Sequence, residues 1–254
     1  MNLWGESAIV VSAFLAGMVN SIAGGGTLIS FPVLIWAGRD PVLANATSTV
    51  ALWPGSFGGM VGFRRELHGN RRWILLLGAP SLVGGVLGAL LLLRTPSNLF
   101  ARLVPFLILF ATALMALQEP LSRWLRRTPH AEPSRSWWAV AIIFQFFVGI
   151  YGGYFGAGIG IIMLAALGFL GLSDLHRMNA LKNLFAICIN GVAALYFIIY
   201  GAVIWVDVLL MATAAIAGGY FGASLAYKLG RKFVRYAVIA IGVMMAVAMF
   251  LFRR

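Results

Sequence analysis

Two clusters of glycine interrupt stretches that carry no charged residue. The first, Gly17-Met18-Val19-Asn20-Ser21-Ile22-Ala23-Gly24-Gly25-Gly26, lies in the uncharged run 7–38. The second, Gly149-Ile150-Tyr151-Gly152-Gly153-Tyr154-Phe155-Gly156-Ala157-Gly158, begins 132 residues later in the uncharged run 136–173. Glycine costs about 1 kcal/mol relative to alanine inside a helix, so such a cluster ends one helix and lets another begin. In lipid no water repairs the broken backbone ladder, and irregular chain is tolerated only where protein or a cavity surrounds it. Interruptions at corresponding positions of two halves mark the substrate site of secondary transporters.

The rest of the chain leaves little room for anything but membrane. It is 61% hydrophobic and 10% charged, with a mean hydropathy of +0.94. Further uncharged runs cover 73–93, 103–118, 208–227 and 236–252. Crossing a hydrocarbon core of ~30 Å takes about 20 helical residues, and most of these runs qualify. The net charge of +12 comes from 19 Lys and Arg lying mostly between the apolar runs. This is the pattern of the positive-inside rule rather than of nucleic-acid binding. The start, Met-Asn-Leu-Trp-Gly-Glu, has no basic n-region, so no cleaved leader is expected. Cys188 is the only cysteine, which leaves no internal disulfide and no thiolate metal site.

The repetition extends past the glycines. With a shift of 134, Asn45-Ala46 meets Asn179-Ala180, Gly84-Gly85 meets Gly218-Gly219, and Gly88-Ala89 meets Gly222-Ala223. The chain divides into a first membrane repeat at 1–118, an Arg- and Pro-containing linker at 119–135 and a second repeat at 136–254. Each repeat holds a glycine-broken unit followed by three spans, at 42–63, 73–93 and 99–117, then 175–200, 204–227 and 233–252. A broken unit of 32 residues makes about 48 Å of helix, too long for one comfortable crossing, whereas each arm alone is short for one. A re-entrant hairpin fits better, and two such units make the halves inverted. The basic residues agree. An inverted arrangement puts Arg39, Arg94, Arg102, Arg253 and Arg254 outside and the other fourteen of the 19 inside. A parallel eight-crossing arrangement divides them almost evenly, so only the inverted one obeys the rule. The expectation is an all-α polytopic membrane protein of two inverted repeats, each a glycine-broken re-entrant hairpin plus three transmembrane helices. Both termini would lie outside and the linker inside.

The motif Asn20-Ser21-Ile22-Ala23-Gly24-Gly25-Gly26-Thr27-Leu28-Ile29-Ser30-Phe31-Pro32, followed by Gly38, Pro41 and Ala44-Asn45-Ala46-Thr47, resembles the sulfite exporter TauE/SafE family. So does the string from Gly149 to Gly160. The likeness spans both halves. It implies a bacterial-type plasma (inner) membrane protein that transports sulfite, sulfoacetate or other small sulfur-containing or organic anions. Where the family often has a further threonine after the alanine of the second half, this chain has Leu181-Lys182-Asn183, so the half-sites are unequal.

Three ingredients would make the anion site. Helices restarting at Thr27 and near Ile159 would aim N–H groups and partial positive charge at the breaks, where Gly24, Gly25, Gly26, Gly156 and Gly158 permit close approach. Asn20, Ser21, Thr27, Asn45, Thr47, Ser48 and Thr49, with Asn179, Asn183 and Asn190, would replace hydration, although hydroxyls in membrane helices also bond the carbonyl one turn back. Lys182, some seven residues into a span, would supply a fixed charge, unless its stem carries the ammonium to the inner surface. Gly84-x-x-x-Gly88 and Gly218-x-x-x-Gly222 read as packing seams, Trp53-Pro54 as a kink, and His176 and Arg177 as interfacial.

No carboxylate falls deep in a span, which argues against a cation carrier. If a proton is co-transported, Lys182, a rim residue such as Asp207, or the anion itself must carry it. There is no Walker A sequence and no HExxH, so neither ATP-driven transport nor an intramembrane hydrolase is indicated. No enzymatic activity, cofactor, metal or nucleic-acid partner is expected. The partners are a small anion and the lipid bilayer. The reading is a secondary anion transporter working by alternating access at a midplane site between the breaks. A channel or facilitator and a non-transporting assembly or scaffold protein stand as alternatives.

Overall fold

The structure is a computed structural model and describes residues 3–22, 25–62, 64–125, 135–169, 172, 174–229 and 231–251. The described residues form ten α-helices, one 3-10 turn at Arg64–Leu67 and no strand. In chain order the helices are α1 Leu3–Ile22, α2 Thr27–Trp36, α3 Pro41–Gly62, α4 Arg71–Arg94, α5 Ser97–Leu125, α6 Arg135–Tyr154, α7 Ile159–Phe169, α8 Leu175–Ile199, α9 Trp205–Leu229 and α10 Arg231–Leu251. The six spans read from the sequence correspond to α3, α4, α5, α8, α9 and α10. The helices restart at Thr27 and Ile159, as the glycine clusters require. Among the described residues, three helices, within α4, α5 and α8, are long and apolar enough to cross a membrane by length and composition.

Local chemistry sets the ends. Asp40 caps α3, its Oδ1 accepting from the N–H groups of Val42 and Leu43 at 2.9 and 3.2 Å. Pro41 follows at the first helical position, where its missing N–H costs nothing. Asp174 caps α8 in the same way, through the N–H of His176 at 2.9 Å. Gly38 ends α2 with φ +83° and Gly201 ends α8 with φ +66°. The flanking bonds, Arg39 N–H to Leu34 O and Ala202 N–H to Phe197 O, close Schellman turns.

The helices pack through glycine. A Cβ at Gly84 would strike the carbonyl of Phe146, one at Gly88 that of Ile150, and one at Gly153 that of Gly85. These contacts close the seam between α4 and α6. Gly17 against Ala215, and Gly218 against Phe14, close the seam between α1 and α9 in the same manner. Lipid offers no hydrophobic drive for helix association, so close backbone approach supplies the dispersion energy instead. Several glycines of the repeated motif, Gly17 and Gly153 among them, thus serve packing. Between Ser81 and Gln145, buried hydroxyl and amide bond at 2.8 Å and tie α4 to α6 again.

Partners recur in pairs. α1 packs on α9 and α4 on α6; α3 packs on α9 and α4 on α8; α2 packs on α10 and α7 on α5. α3 also meets α8, and α5 meets α10. Exchanging α1–α5 with α6–α10 leaves this set of contacts unchanged. The outer faces carry exposed Leu75, Val83, Phe106, Val140, Phe147 and Leu209, which suits contact with acyl chains. Trp4, Trp36 and Trp205 are exposed near helix ends, the positions that interfacial aromatics favour.

Candidate functional site

At both breaks the chain doubles back on itself. Gly26 is pressed against the carbonyl of Ala16, ten positions earlier, and a Cβ there would collide with it. A straight helix would separate the two by about 15 Å. Gly25 has φ +92°, a conformation that only glycine adopts freely, and a Cβ on it would sit 3.0 Å from Met115 Sδ of α5. In the second break Gly156 and Gly158 have φ +78° and +75°. Ile159 folds onto Gly152, leaving no room for a side chain there. Tyr151 Oη donates to the carbonyl of Ala157 at 2.7 Å and pins the turn. Phe155 stacks edge-on with Phe31 at 5.5 Å, joining the second break to α2.

The two breaks differ in their polar groups. In the first, the Oδ1 of Asn20 accepts the N–H of Gly26 at 2.7 Å, just ahead of the restart at α2. Thr27 opens α2 and is half-buried. The Ser21 side chain and Gly24 lie outside the described residues. Two of the hydroxyls expected at the site are tied up nearby. Ser48 bonds Ser30 of α2 at 2.8 Å, and Thr47 Oγ1 accepts the N–H of Ile204 at 3.1 Å ahead of α9. Thr49 donates to the carbonyl of Asn45 at 2.9 Å, the bond one turn back that hydroxyls in helices commonly make.

Three further candidates, Asn45, Asn190 and Lys182, lie against the second break. Asn45, 1% exposed on α3, donates from Nδ2 to the carbonyl of Tyr154 at 2.9 Å, while its Oδ1 is buried without a hydrogen-bond partner among the described residues. Asn190 of α8 places its Oδ1 3.5 Å from where a Cβ of Gly156 would stand. Lys182 is half-buried on α8, and its stem crosses the first turn of α7, with Cδ 3.2 Å from the equivalent point on Gly160. Asn179 and Asn183 are half-buried on the same helix and engaged with neighbours. Under the repeat shift Lys182 corresponds to Ser48. Each lies against the shorter helix before it, Lys182 on α7 and Ser48 on α2, one a charge and the other a hydroxyl.

Two arginines tie the halves together, and sequence reasoning missed both ties. Arg39, between α2 and α3, grips Asp207 of α9 through two bonds, Nε to Oδ2 at 2.7 Å and Nη2 to Oδ1 at 3.0 Å. Asp207 is 1% exposed and Arg39 about a third. The hydrogen bonds with Asp207 push the Arg39 pKa above its ordinary value against the opposing effect of burial, so the guanidinium stays charged. Asp207 is thus held in a two-bond ion pair across the two halves of the chain. Arg177 at the start of α8 bonds the Oδ1 of Asn70, which precedes α4, through Nη2 at 2.5 Å and Nε at 3.2 Å. Trp53, expected only to mark a kink, also reaches across: its Nε1 donates to Ile187 O at 3.2 Å, and Gly191 packs on its ring. The one available signal was an acid beside an apolar run, Asp207, whose cation had to come from elsewhere in the chain. No group of His, Cys, Asp and Glu suited to a metal occurs among the described residues.

An all-helical chain with a lipid-compatible surface and interrupted helices of this kind is an integral membrane protein. Residues 9–249 match the family described as sulfite exporter TauE/SafE, and the chain belongs to that family of membrane transporters. It is similar to a probable membrane transporter protein, ORF9, of Sinorhizobium sp. They are 27% identical over 244 residues, covering 94% of this chain and 90% of the relative. A probable membrane transporter protein of Haemophilus influenzae is 29% identical over 239 residues, covering 93% and 91%. The probable membrane transporter protein YfcA of Escherichia coli is 29% identical over 235 residues, covering 92% and 85%. No solved structure matches.

Proposed function

We propose that this protein is a secondary transporter of small sulfur-containing or organic anions. It would work across a bacterial-type plasma membrane by alternating access at a midplane site between the two glycine breaks. The observation that carries this reading is the grouping at the second break. There the first turn of α7, the Lys182 stem and the Asn45 and Asn190 amides flank backbone that glycine keeps bare. The start of α7 offers partial positive charge, and Lys182 adds a full one, so the group suits an anion. The first break contributes Thr27 and the backbone of Gly25 and Gly26. Asn20, Thr47 and Ser48 act by holding that backbone and its neighbours in place. Asn179 and Asn183 line the approach along α8.

The inverted arrangement, with repeats at 1–118 and 136–254 around an inside linker, has independent support in the cross-ties. A parallel eight-crossing chain would put Arg39 and Asp207 on opposite membrane faces, some 30 Å apart, and Asn70 and Arg177 likewise. Inverted halves with both termini outside put each pair on one face, in keeping with contacts of 2.7 and 2.5 Å. The interchange of helix partners between the halves fits the same symmetry. One half and its hairpin would rock against the other, and the Arg39 and Arg177 ties lie where that motion must open and close.

The test is counterflow in proteoliposomes loaded with sulfite or a short organosulfonate. Saturable exchange is expected, and Lys182→Ala should weaken apparent affinity about tenfold or more, the scale of a lost hydrogen bond to a charged group. Unchanged affinity and flux in a correctly inserted Lys182→Ala protein removes the lysine from the site. Ohmic single-channel current would return the channel alternative. A stable co-purifying partner, with no flux of any anion tested, would return the scaffold.

A further inference from the structure

The geometry points to a narrower substrate class: an anion that carries its own hydrogen-bond donor, an O–H or N–H, with the donor recognised by Asn45. The inference rests on the transport reading above and deepens it. The carboxamide of Asn45 has a determined orientation. Its Nδ2 stands 2.9 Å from the carbonyl of Tyr154, and since a carbonyl only accepts, that end of the amide is the nitrogen. The oxygen therefore faces the other way, and there it is buried with no partner among the described residues. Neighbouring hydroxyls on α3 are directed elsewhere: Ser48 to Ser30, Thr47 to Ile204, and Thr49 to the Asn45 main chain.

A buried acceptor without a donor is costly, and native proteins rarely keep one without a reason. The amide that carries it is anchored by its nitrogen at the end of α6, where the second break begins. Asn190 presents another amide oxygen at Gly156, further into the same break. Lys182 comes from the α8 side, over Gly160. The break thus accepts hydrogen bonds on one side and carries positive charge on another. An anion with a hydroxyl or an N–H can satisfy both. One that ends in a methyl group pairs with the lysine but leaves Asn45 Oδ1 unsatisfied in a site it has dried. Sites built to bond a substrate hydroxyl reject analogues lacking it far more strongly than apolar pockets reject a missing methylene.

The experiment compares 2-hydroxyethanesulfonate with 1-propanesulfonate, in which a methyl replaces the hydroxyl. It uses the full-length protein, by thermal-shift titration and by competition in proteoliposomes. The wild type should prefer the hydroxylated anion about tenfold or more. Asn45→Leu should bring the ratio close to one, by weakening the hydroxylated anion about tenfold more than 1-propanesulfonate. Equal affinities in the wild type overturn the inference, as does a preference that survives in Asn45→Leu. Should Asn45→Leu not fold, Asn45→Ser is the milder variant, and the wild-type ratio alone still overturns the inference if it is near one. Binding of neither sulfonate to folded wild-type protein would defeat the anion reading itself, a different result from equal binding of both.

Discussion

Asp207 illustrates what one residue can be worth in this chain. It is one of seven acids, and it is nearly wholly buried in the first turn of α9 with Arg39 forked onto both its oxygens. The two partners are not equivalent, because Arg39 keeps about a third of its surface and can turn toward water. Removing the arginine strands a buried carboxylate; neutralising the acid strands only a charge that can re-solvate. Arg39→Ala should therefore destabilise the protein by about 3 kcal/mol and Asp207→Asn by clearly less. The double substitution should recover part of the loss. Thermal melting in detergent checks the order, and an equal effect of both single substitutions would contradict the burial argument. Asn20 makes a related point. Its place beside a glycine cluster reads as a ligand in the sequence, yet its oxygen is spent on the N–H of Gly26. Polar side chains next to a helix start cap and bind with the same atoms, so residue type alone does not separate the two roles.

At the scale of elements, the same glycines divide between two tasks. Gly25, Gly156 and Gly158 turn the backbone into the left-handed region, while Gly84, Gly88 and Gly153 let helices touch. The α4 helix contains its own control, since a Cβ at Gly78 meets nothing within 4 Å. Gly84→Ala should cost about 1–3 kcal/mol by forcing α4 away from α6, and Gly78→Ala should leave stability unchanged or slightly raised. Melting temperatures of the two variants decide it. Helix extents were largely legible beforehand. The expected span 73–93 is helix 71–94 and the expected restart at Thr27 is where α2 begins. Hydropathy, aspartate caps and glycine act over a few residues, so a linear reading captures them. The α5 helix is the exception, running to Leu125, past the expected end of the first repeat at 118. A helix need not stop where the apolar run does, and this one continues even through Pro120.

For the whole molecule the proposed inverted topology makes a direct prediction. With Cys188 replaced by serine, single cysteines are placed at Trp36, Tyr200 and His68, all exposed in the structure. A membrane-impermeant thiol reagent applied to intact cells should label positions 36 and 200 and spare 68. Labelling of 36 without 200 would favour the parallel arrangement and break the account of the cross-ties.

What the sequence by itself determined was the material of the protein: a membrane chain of helices, broken twice by glycine, with positive charge segregated by loop and a family resemblance carried in both halves. These follow from local hydropathy and backbone freedom, which need no knowledge of distant residues. Only the tertiary structure decided which polar atoms face which. Asn45 meets the carbonyl of Tyr154 across 109 positions, and Arg39 meets Asp207 across 168. Such pairs are chosen by how ten helices close against one another, because residues so far apart in the chain meet only through that closure.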